Sequence, residues 1–266
     1  MMNRLLQRFS LMALMLLLCA GFAQAGEVLI VADEWPQMDV LGAYLEEEGG
    51  FTVETAEPEA LPEDLSPYEG IIQFVHGALG DEPAARMMNF TRNGGRLVVL
   101  HHGISSGKAN TQGWLNFLGI KLDRANNSTK RYTWVHDVDI TIVNLNPNHY
   151  ITHNGVEYEE TATYHSSDRP SEPVRGLALT FNNSEAFLNH QFTDGRAKTV
   201  LFGLLYQDPN TRAVYQQDRA GWLKRVGSGY VFYFQPGHIT ADFEKDAYCQ
   251  IIQNCFTWQP HAASVE

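Results

Sequence analysis

The sequence predicts an α/β fold: a doubly wound, mostly parallel sheet flanked by helices. Short, continuous apolar runs such as residues 28–32 are typical of strands that are buried on both faces. These runs alternate with segments whose apolar residues recur at helical spacing. The order strand, helix, strand, strand, helix, strand in the first part of the chain is the order that builds such a sheet.

The chain beyond residue 26 opens with a strand, a helix and a second strand. Residues 28–32 are apolar throughout and predict the first strand. A helix begins at Pro36 and stops at Gly49, because glycine ends helices readily. Residues 51–55 alternate in polarity and predict the second strand.

A third strand, a second helix and a fourth strand follow. Residues 70–75 form another apolar run and predict the third strand. Asp81 is a good N-cap for a helix that has Pro83 in its first turn and runs to Asn93. Residues 96–100 predict a fourth strand, again buried on both faces.

The remainder of the chain is predicted to hold four more strands and a last helix, with a polar stretch over residues 146–173. The strands cover residues 133–144, 174–181, 199–206 and 230–234, and the helix covers residues 243–258. No internal repeat or low-complexity linker divides these segments. We therefore expect residues 26–266 to form a single domain.

The composition is that of a globular protein. Hydrophobic residues make up 44% of the 266 residues and charged residues 19%. Asp and Glu number 31 against 19 Lys and Arg, which gives a formal net charge of −12. Nucleic acids and anionic membranes attract proteins through clusters of Lys and Arg. The charge balance therefore argues against nucleic acid as a partner.

The N-terminal segment has the features of a secretory signal peptide. Arg4 and Arg8 precede an apolar run over residues 11–22, which ends in a small-x-small cleavage site at Ala25. This run is shorter than the ~20 apolar residues that a spanning helix needs. We expect residues 1–25 to be removed, leaving no transmembrane segment, and the protein to be exported to the periplasm or the extracellular space.

The sequence excludes cysteine-based hydrolysis. An amidotransferase of this architecture places a cysteine on the sharp turn after a central strand, where a helix N-terminus lowers the pKa of the thiol. Here that turn holds His101 and His102, and the first cysteine beyond the signal peptide is Cys249. Cys249 and Cys255 lie on different faces of the last predicted helix, so no disulfide is expected between them.

Polar residues follow three predicted strands at the edge where parallel strands end. Asp33 and Trp35 follow the first strand, His101 and His102 follow the fourth, and His238 follows the last. Ligands bind beyond the carboxyl ends of the strands in open parallel sheets. We therefore expect these side chains to meet in one cleft.

The long loops contribute weaker candidates. His149 and His153 are spaced like a helical metal-binding pair, but the Asn and Pro residues before them favour a loop. Glu160 belongs to an acidic pair with Glu159, and such pairs are usually solvated. Each histidine also has a structural alternative, in which it caps an element and hydrogen-bonds a loop carbonyl.

The C-terminal third carries the residues of a family resemblance. Residues 227–238 read Gly-Ser-Gly-Tyr-Val-Phe-Tyr-Phe-Gln-Pro-Gly-His and are followed by a helix that ends at Trp258. This pattern resembles the Gly-x-Gly-Arg-Val-Phe-Tyr strand, Gly-His and terminal Trp of the ThuA-like (trehalose utilisation) family, with Tyr230 in place of the usual Arg. The segment that begins at His149 resembles the family's His-Pro-Ile-Thr, with Tyr150 in place of Pro.

The resemblance implies a fold like that of class I glutamine amidotransferases, without their cysteine nucleophile. It also implies a role in sugar metabolism. The acidic-then-tyrosine element of the family would fall at Glu160 and Tyr164, although the spacing is longer in this chain.

The leading hypothesis is an exported enzyme, a hydrolase, isomerase or lyase, that acts on a small carbohydrate or keto-sugar. The residues expected to act in catalysis are His102, His238 and Glu160. Those expected to bind the substrate are Asp33, Trp35, His101, His149 and Tyr164. His102 and His238 are also candidate ligands for zinc or another divalent metal.

Two other interpretations stay open. The cleft could hold a carbohydrate without converting it, as a non-catalytic binding module of the cell envelope, with Trp35, Tyr164 or Trp114 stacking on the sugar. The protein could instead be a structural partner in an envelope complex. An oligomer is compatible with each of these interpretations.

Overall fold

A ten-stranded sheet organises the part of the chain that the structure describes. The structure is a computed structural model that describes residues 26–126, 131–170, 172–195 and 198–260. The predicted signal peptide, residues 1–25, lies outside the described residues. The strand order is β2-β1-β3-β4-β12-β11-β10-β6-β8-β7.

One half of the sheet is parallel. Its strands are β1 (Glu27–Ala32), β2 (Thr52–Ala56), β3 (Tyr68–Phe74), β4 (Arg96–Leu100) and β12 (Gly229–Phe234). Every neighbouring pair among them is parallel, so their carboxyl ends lie at one edge. All five lie within three residues of the predicted strands, and the predicted α/β fold class is confirmed.

The other half is antiparallel. Its strands are β11 (Val214–Val226), β10 (Lys198–Gln207), β6 (Thr133–Asn144), β8 (Val174–Leu188) and β7 (Glu160–Tyr164). A separate two-stranded ribbon pairs β5 (Ile120–Lys121) with β9 (Gln191–Phe192). The large sheet is therefore a mixed one, in which each half meets the other between β12 and β11.

Strands β7 and β11 are absent from the sequence prediction, because polar residues interrupt their apolar pattern. Within β11, Gln217 and Asp218 are buried. The amide of Gln217 exchanges hydrogen bonds with Asn189, and the carboxylate of Asp218 accepts one from the Tyr164 hydroxyl at 2.8 Å. Hydrogen bonds to these partners offset the free-energy cost of burying the two polar side chains. The partners lie far away in the chain, so the local sequence does not show them.

Helices cover both faces of the sheet. They are α1 (Pro36–Glu47), α2 (Asp81–Arg92), α3 (Trp114–Leu118), α4 (Tyr150–His153), α5 (Thr240–Phe243) and α6 (Asp246–Thr257). Alternate residues of β1 point to opposite faces, as a strand requires. Ile30 packs with the core under α1 and α6, whereas Leu29 packs with the core under α2 and α3. No described helix has the length and apolar character needed to cross a membrane.

Two helix starts differ from the prediction. Helix α2 has Gly80 as its N-cap, and Asp81 is its first residue, where a carboxylate is favourable beside the positive helix end. Asp81 also accepts a hydrogen bond from the backbone of Gln112 at 2.7 Å. At the other end of the chain, Phe243 closes the short helix α5, so the last helix begins at Asp246. Cys249 and Cys255 are both buried and free, as expected.

Strand β8 continues beyond its predicted end at residue 181. The register with β6 shifts twice, and Asp137 and Asn183 adopt left-handed φ values of 55° and 54° in this region. Asp and Asn tolerate that conformation better than most residues. The irregularity lets the strand bend and continue to Leu188, and this extension carries Glu185 into the protein interior.

Candidate functional site

Three histidines surround one buried glutamate at the carboxyl edge of the parallel strands. The ligand atoms of His101, His102, Glu185 and His238 all lie within 4.8 Å of one another. The Oε2 atom of Glu185 is 3.1 Å from His101 Nε2, 3.0 Å from His102 Nε2 and 3.4 Å from His238 Nδ1. We call these four residues the histidine–glutamate cluster.

Neighbouring strands bring the histidines together. His101 and His102 begin the 3₁₀ helix His101–Ile104, directly after β4. His238 follows β12, and the ends of these two strands are paired at Leu100 and Phe234. Glu185 comes from the opposite half of the sheet, on the extension of β8, so that both halves contribute to the cluster.

His101 is held in one orientation and in an uncommon backbone conformation. Its φ is +47°, its side chain is 1% exposed, and its Nδ1 lies 2.9 Å from the carbonyl oxygen of Gln235. A carbonyl only accepts hydrogen bonds, so Nδ1 carries the proton. In a neutral ring, Nε2 then directs a lone pair at the Glu185 carboxylate. A second proton or a metal cation is needed to make that contact favourable.

A buried aspartate fixes the turn that carries His238. The Oδ2 atom of Asp242 accepts hydrogen bonds from the backbone N–H of Gly237 at 2.9 Å and of His238 at 2.8 Å. The Ser184 hydroxyl donates to the same oxygen at 2.8 Å. Ser184 precedes Glu185, so one carboxylate ties the His238 turn to the strand that holds the cluster's glutamate.

The electrostatics of the cluster differ from residue to residue. Burial raises the pKa of Glu185, but contacts with His101, His102 and His238 outweigh burial and hold it well below its usual range. Burial lowers the pKa of His102 to about 4, and Glu185 only partly offsets this effect. The contact with Glu185 raises the pKa of His238. The cluster therefore combines an ionised carboxylate with at least one neutral imidazole at neutral pH.

The facing atoms of the cluster make no complete hydrogen bonds among the described residues. This holds for His101 Nε2, His102 Nε2, His238 Nδ1 and both carboxylate oxygens of Glu185, all of them buried. Buried polar atoms normally have partners, so five such atoms around one point need an explanation. Imidazole nitrogens with a carboxylate oxygen are a donor set that suits a divalent transition metal.

A cavity of about 400 Å³ lies beside the cluster. Cluster residues His102 and Glu185 form part of its wall. The other lining residues are His76, Gly77, Ala78, Ser105, Ser106, Gly107, Tyr132, Trp134, His136 and Phe187. A ligand in this cavity would therefore touch the cluster directly.

Two further histidines line the cavity. The ring of His76 stacks on His102 with centroids 3.7 Å apart, and its Nδ1 lies 3.3 Å from Glu34 Oε1. His136 reaches the other carboxylate oxygen of Glu185, with Nδ1 3.4 Å from Oε1. Both rings are substantially exposed, so they are in contact with solvent as well as with the site.

Some of the residues predicted for the site come together and others do not. His101, His102 and His238 form the cluster. His101 is too deeply buried to contact a substrate as predicted, because its ring lies between Gln235 and Glu185. Asp33 lies nearby but is a positioning residue: its carboxylate accepts hydrogen bonds from the backbone of His76 at 2.6 Å and of Gly77 at 2.7 Å.

Glu160 and His149 lie outside both the cluster and the cavity. Glu160 is exposed at the start of β7, the last strand at the antiparallel edge, and the cluster's carboxylate is Glu185 instead. His149 is the N-cap of α4, where its Nδ1 accepts a hydrogen bond from the backbone of Ile151 at 3.2 Å. His149 therefore caps a helix, which is the structural alternative named for the histidines in the sequence analysis.

The three aromatic residues predicted to stack on a sugar have structural roles. Tyr164 is buried and donates its hydroxyl to Asp218, and the buried Trp114 donates its Nε1–H to the Gly103 carbonyl at 2.8 Å. Trp35 occupies the N-cap position of α1 without a capping hydrogen bond from its side chain, and its partly buried ring packs against the core. The aromatic residue that lines the cavity with an exposed ring is Trp134.

Sequence reasoning missed Glu185, His76, His136 and Trp134. Glu185 sits behind the polar residues Asn182 to Ser184, which look like the end of a strand. One local signal exists: Glu185 is followed directly by the apolar run of residues 186–188, and an acidic residue beside such a run can be buried. His76 directly follows the predicted third strand. Examining the residues after every parallel strand, and not only after three of them, would have identified it.

The comparisons with known proteins agree with the fold. The ThuA family profile, described as trehalose utilisation, matches residues 27–259. A ThuA-like protein of Bacteroides uniformis is 17% identical, covers 90% of this chain and 93% of its own, and superposes with a TM-score of 0.58. A cytoplasmic protein of Salmonella typhimurium is 13% identical, covers 87% and 98%, and gives a TM-score of 0.53. No curated protein matches the chain significantly.

Proposed function

The chain belongs to the ThuA (trehalose utilisation) family, and on that premise we propose that it is an enzyme acting on a sugar or keto-sugar derivative at the histidine–glutamate cluster. The observation that carries the proposal is the set of buried nitrogen and oxygen atoms around Glu185, which make no complete hydrogen bonds among the described residues. Buried ionisable groups beside a cavity are characteristic of functional sites.

The cluster fits a divalent transition metal, with zinc as one candidate. Three imidazole nitrogens and one carboxylate oxygen would supply the ligands. Each of the three nitrogens lies 3.0–3.4 Å from Oε2 of Glu185, so all four atoms point toward a common centre. A divalent cation would compensate the buried charge of Glu185 and accept the lone pair of His101. Such a metal, when bound, polarises a carbonyl group or activates a water molecule.

Residues around the cluster hold its ligands and complete the site. The Gln235 carbonyl fixes which nitrogen of His101 faces Glu185, and Asp242 fixes the turn of His238. Such supporting contacts orient metal ligands. His76 and His136 line the cavity with partly exposed rings, so a ligand bound there would contact their imidazoles.

The first test is the metal content per chain of residues 26–266, purified without a histidine tag or chelator. We expect close to one transition-metal ion per chain, and turnover in a screen of keto-sugars. Glu185→Gln removes the negative ligand at constant shape and should abolish both. The matched control is Glu160→Gln, which changes an exposed glutamate outside the cluster and should retain both.

Either of two results would count against this function. Wild-type protein without metal, and with turnover unaffected by Glu185→Gln, would exclude the cluster as the reactive centre. Sugar binding without turnover, unchanged by a chelator, would instead favour the non-catalytic binding module. The exposed ring of Trp134 in the cavity is the observation on which that second candidate depends.

We also propose that the protein is exported. The basic start, the apolar run and the small residues at positions 23 and 25 support cleavage after Ala25. The partner proposed for the exported protein is a small carbohydrate or keto-sugar.

A further inference from the structure

The cavity beside the cluster has a wall that is rich in hydroxyl groups. Among the described residues that line it, Glu185 is the only carboxylate and none is Lys or Arg. Hydroxyl groups come from Ser105, Ser106 and Tyr132, and an aromatic surface comes from Trp134. A wall of this kind is suited to a neutral polar ligand that also has an apolar face.

Lys108, which lies in the segment after the 3₁₀ helix His101–Ile104, does not line the cavity. Lys108 is fully buried, and its ammonium group donates to the carbonyls of Val75 at 2.6 Å, His76 at 3.2 Å and Gly77 at 2.6 Å. An ammonium group has three N–H donors, so all three are used. Lys108 therefore holds the His76 loop in place and has no donor left for an anionic ligand.

This arrangement disfavours phosphorylated ligands. Protein sites bind phosphate with Arg or Lys side chains, or with the N-terminus of a helix. The described wall has no Lys or Arg side chain, and the carboxylate of Glu185 would repel a phosphate group. A sugar phosphate would therefore have to rely on the histidines of the wall or on a metal at the cluster, whereas a neutral sugar needs neither.

Trp134 and Tyr132 form the aromatic side of the cavity. Trp134 lies on β6 and is 47% exposed, whereas Tyr132 is 4% exposed, and their ring centroids are 6.0 Å apart. An indole ring left exposed beside a buried polar cluster is free to pack on the C–H face of a ligand. The core does not need this ring, since it lies outside the buried clusters.

The Tyr132 hydroxyl supplies a second, independent indication of a ligand. It is buried and close to the Ser106 backbone, yet it makes no hydrogen bond of complete geometry among the described residues. Burial, reinforced by Glu185, raises the pKa of Tyr132, so the group stays protonated and can donate. Buried hydroxyls without partners are uncommon, and a bound hydroxyl group would satisfy this one.

We propose that the cavity binds one unphosphorylated pyranose ring, whose C–H face packs on Trp134 and whose hydroxyl groups meet Tyr132 and the two serines. This inference rests on the proposed function, because it assigns the ring to the cavity that opens on the cluster. A volume of about 400 Å³ matches a single ring better than a longer chain, since it lies near the lower end for small-molecule sites.

The test is a calorimetric titration of the protein, both metal-loaded and metal-free, with glucose, methyl α-glucoside, trehalose and glucose 6-phosphate. We expect at least one neutral sugar to bind, and the metal-free protein to bind glucose 6-phosphate more weakly than glucose. Trp134→Ala should weaken neutral-sugar binding at least tenfold, Trp134→Phe less, and Tyr132→Phe several-fold. Tyr150→Ala, which removes an exposed aromatic ring outside the cavity, should leave binding unchanged.

Three results would overturn the inference: no binding of any neutral sugar, tighter binding of glucose 6-phosphate than of glucose by the metal-free protein, or unchanged binding by Trp134→Ala. Metal content, measured on the same samples, separates this failure from failure of the proposed function. Trp134→Ala with a full metal complement and lost sugar binding supports the inference. If the wild type is purified without metal but its sugar binding still depends on Trp134, the result supports the inference and counts against the metal centre.

Discussion

Glu185 is the residue on which the site depends most. A fully buried carboxylate is costly unless it is compensated, and here three imidazoles converge on one of its oxygens. They cannot all compensate it as neutral hydrogen-bond donors, because a neutral His101 has a single N–H, which its Nδ1 directs at the Gln235 carbonyl. A metal cation resolves this conflict, which is why the cluster is proposed as a metal centre.

At the same scale, Lys108 predicts a pH dependence. Burial lowers its pKa to about 8, with Asp33 opposing, whereas an unfolded lysine titrates at about 10.4. Between those values the unfolded chain binds more protons than the folded chain, so the contribution of Lys108 to the free energy of unfolding rises with pH. We expect the free energy of unfolding of the wild type, minus that of Lys108→Met, to increase by roughly 2 kcal/mol from pH 8 to pH 10.

Urea denaturation at half-unit pH intervals measures this difference. Lys198, whose pKa burial also lowers to about 8, is present in both proteins, so its effect cancels. A difference that stays flat or shrinks as the pH rises would show that the three carbonyls keep Lys108 charged in the folded state.

At the scale of an element, the turn after β12 predicts a positioning effect. Asp242 receives three hydrogen bonds, from Ser184, Gly237 and His238, and is itself buried. Asp242→Asn keeps the shape but weakens these bonds and adds an amide that lacks partners. We expect metal affinity to fall by about 10- to 100-fold, as for other residues that orient metal ligands.

Competition with a chromophoric chelator gives the metal affinity of this variant. Asp246→Asn is the control, because it changes an exposed aspartate at the start of α6 that does not contact the cluster. Equal affinity in Asp242→Asn and wild type would mean that His238 finds its position without the aspartate, or that it is not a ligand.

The irregular pairing of β6 with β8 is the other element that creates the site. Glu185 lies between Ser184 and Ala186, whose partners on β6, Val138 and Val135, are on either side of one of the two register shifts. Bulges often lie next to functional sites because they redirect side chains. The left-handed residues Asp137 and Asn183 mark where the strand pair bends.

At the scale of the whole molecule, the N-terminal segment predicts processing. If residues 1–25 are a signal peptide, protein recovered from the cell envelope or medium should begin at Gly26 in its intact mass. Ala25→Leu places a large residue at the cleavage site and should leave the precursor uncut. Wild-type protein that keeps its first 25 residues in that fraction would contradict export by this route.

The two halves of the sheet differ in what determines their strands. Local sequence determines the parallel strands, whereas contacts between distant parts of the chain determine the antiparallel ones. The parallel strands are apolar runs, apart from β2, which alternates in polarity, and each was predictable from its own residues. The antiparallel strands carry buried polar groups, as in β11, or run through bends, as in β8. Their limits depend on partners that lie far away in the sequence.

The sequence by itself therefore determined the α/β class, the parallel strands with their helices, and the histidines at the strand ends. These are local properties, because periodicity and strand-end position are read from neighbouring residues. It also indicated the ThuA family through residues 227–238 and Trp258.

Only the tertiary structure decided which carboxylate joins His101, His102 and His238, and which aromatic ring faces the cavity. Glu185 and Trp134 lie on strands of the antiparallel half, far along the chain from the histidine turns. Their burial and exposure follow from a bend in a strand pair and from packing between the two halves of the sheet. Glu160, which the family resemblance suggested, lies on the strand at the antiparallel edge of the sheet, because no local rule specifies how a sheet continues beyond its parallel half.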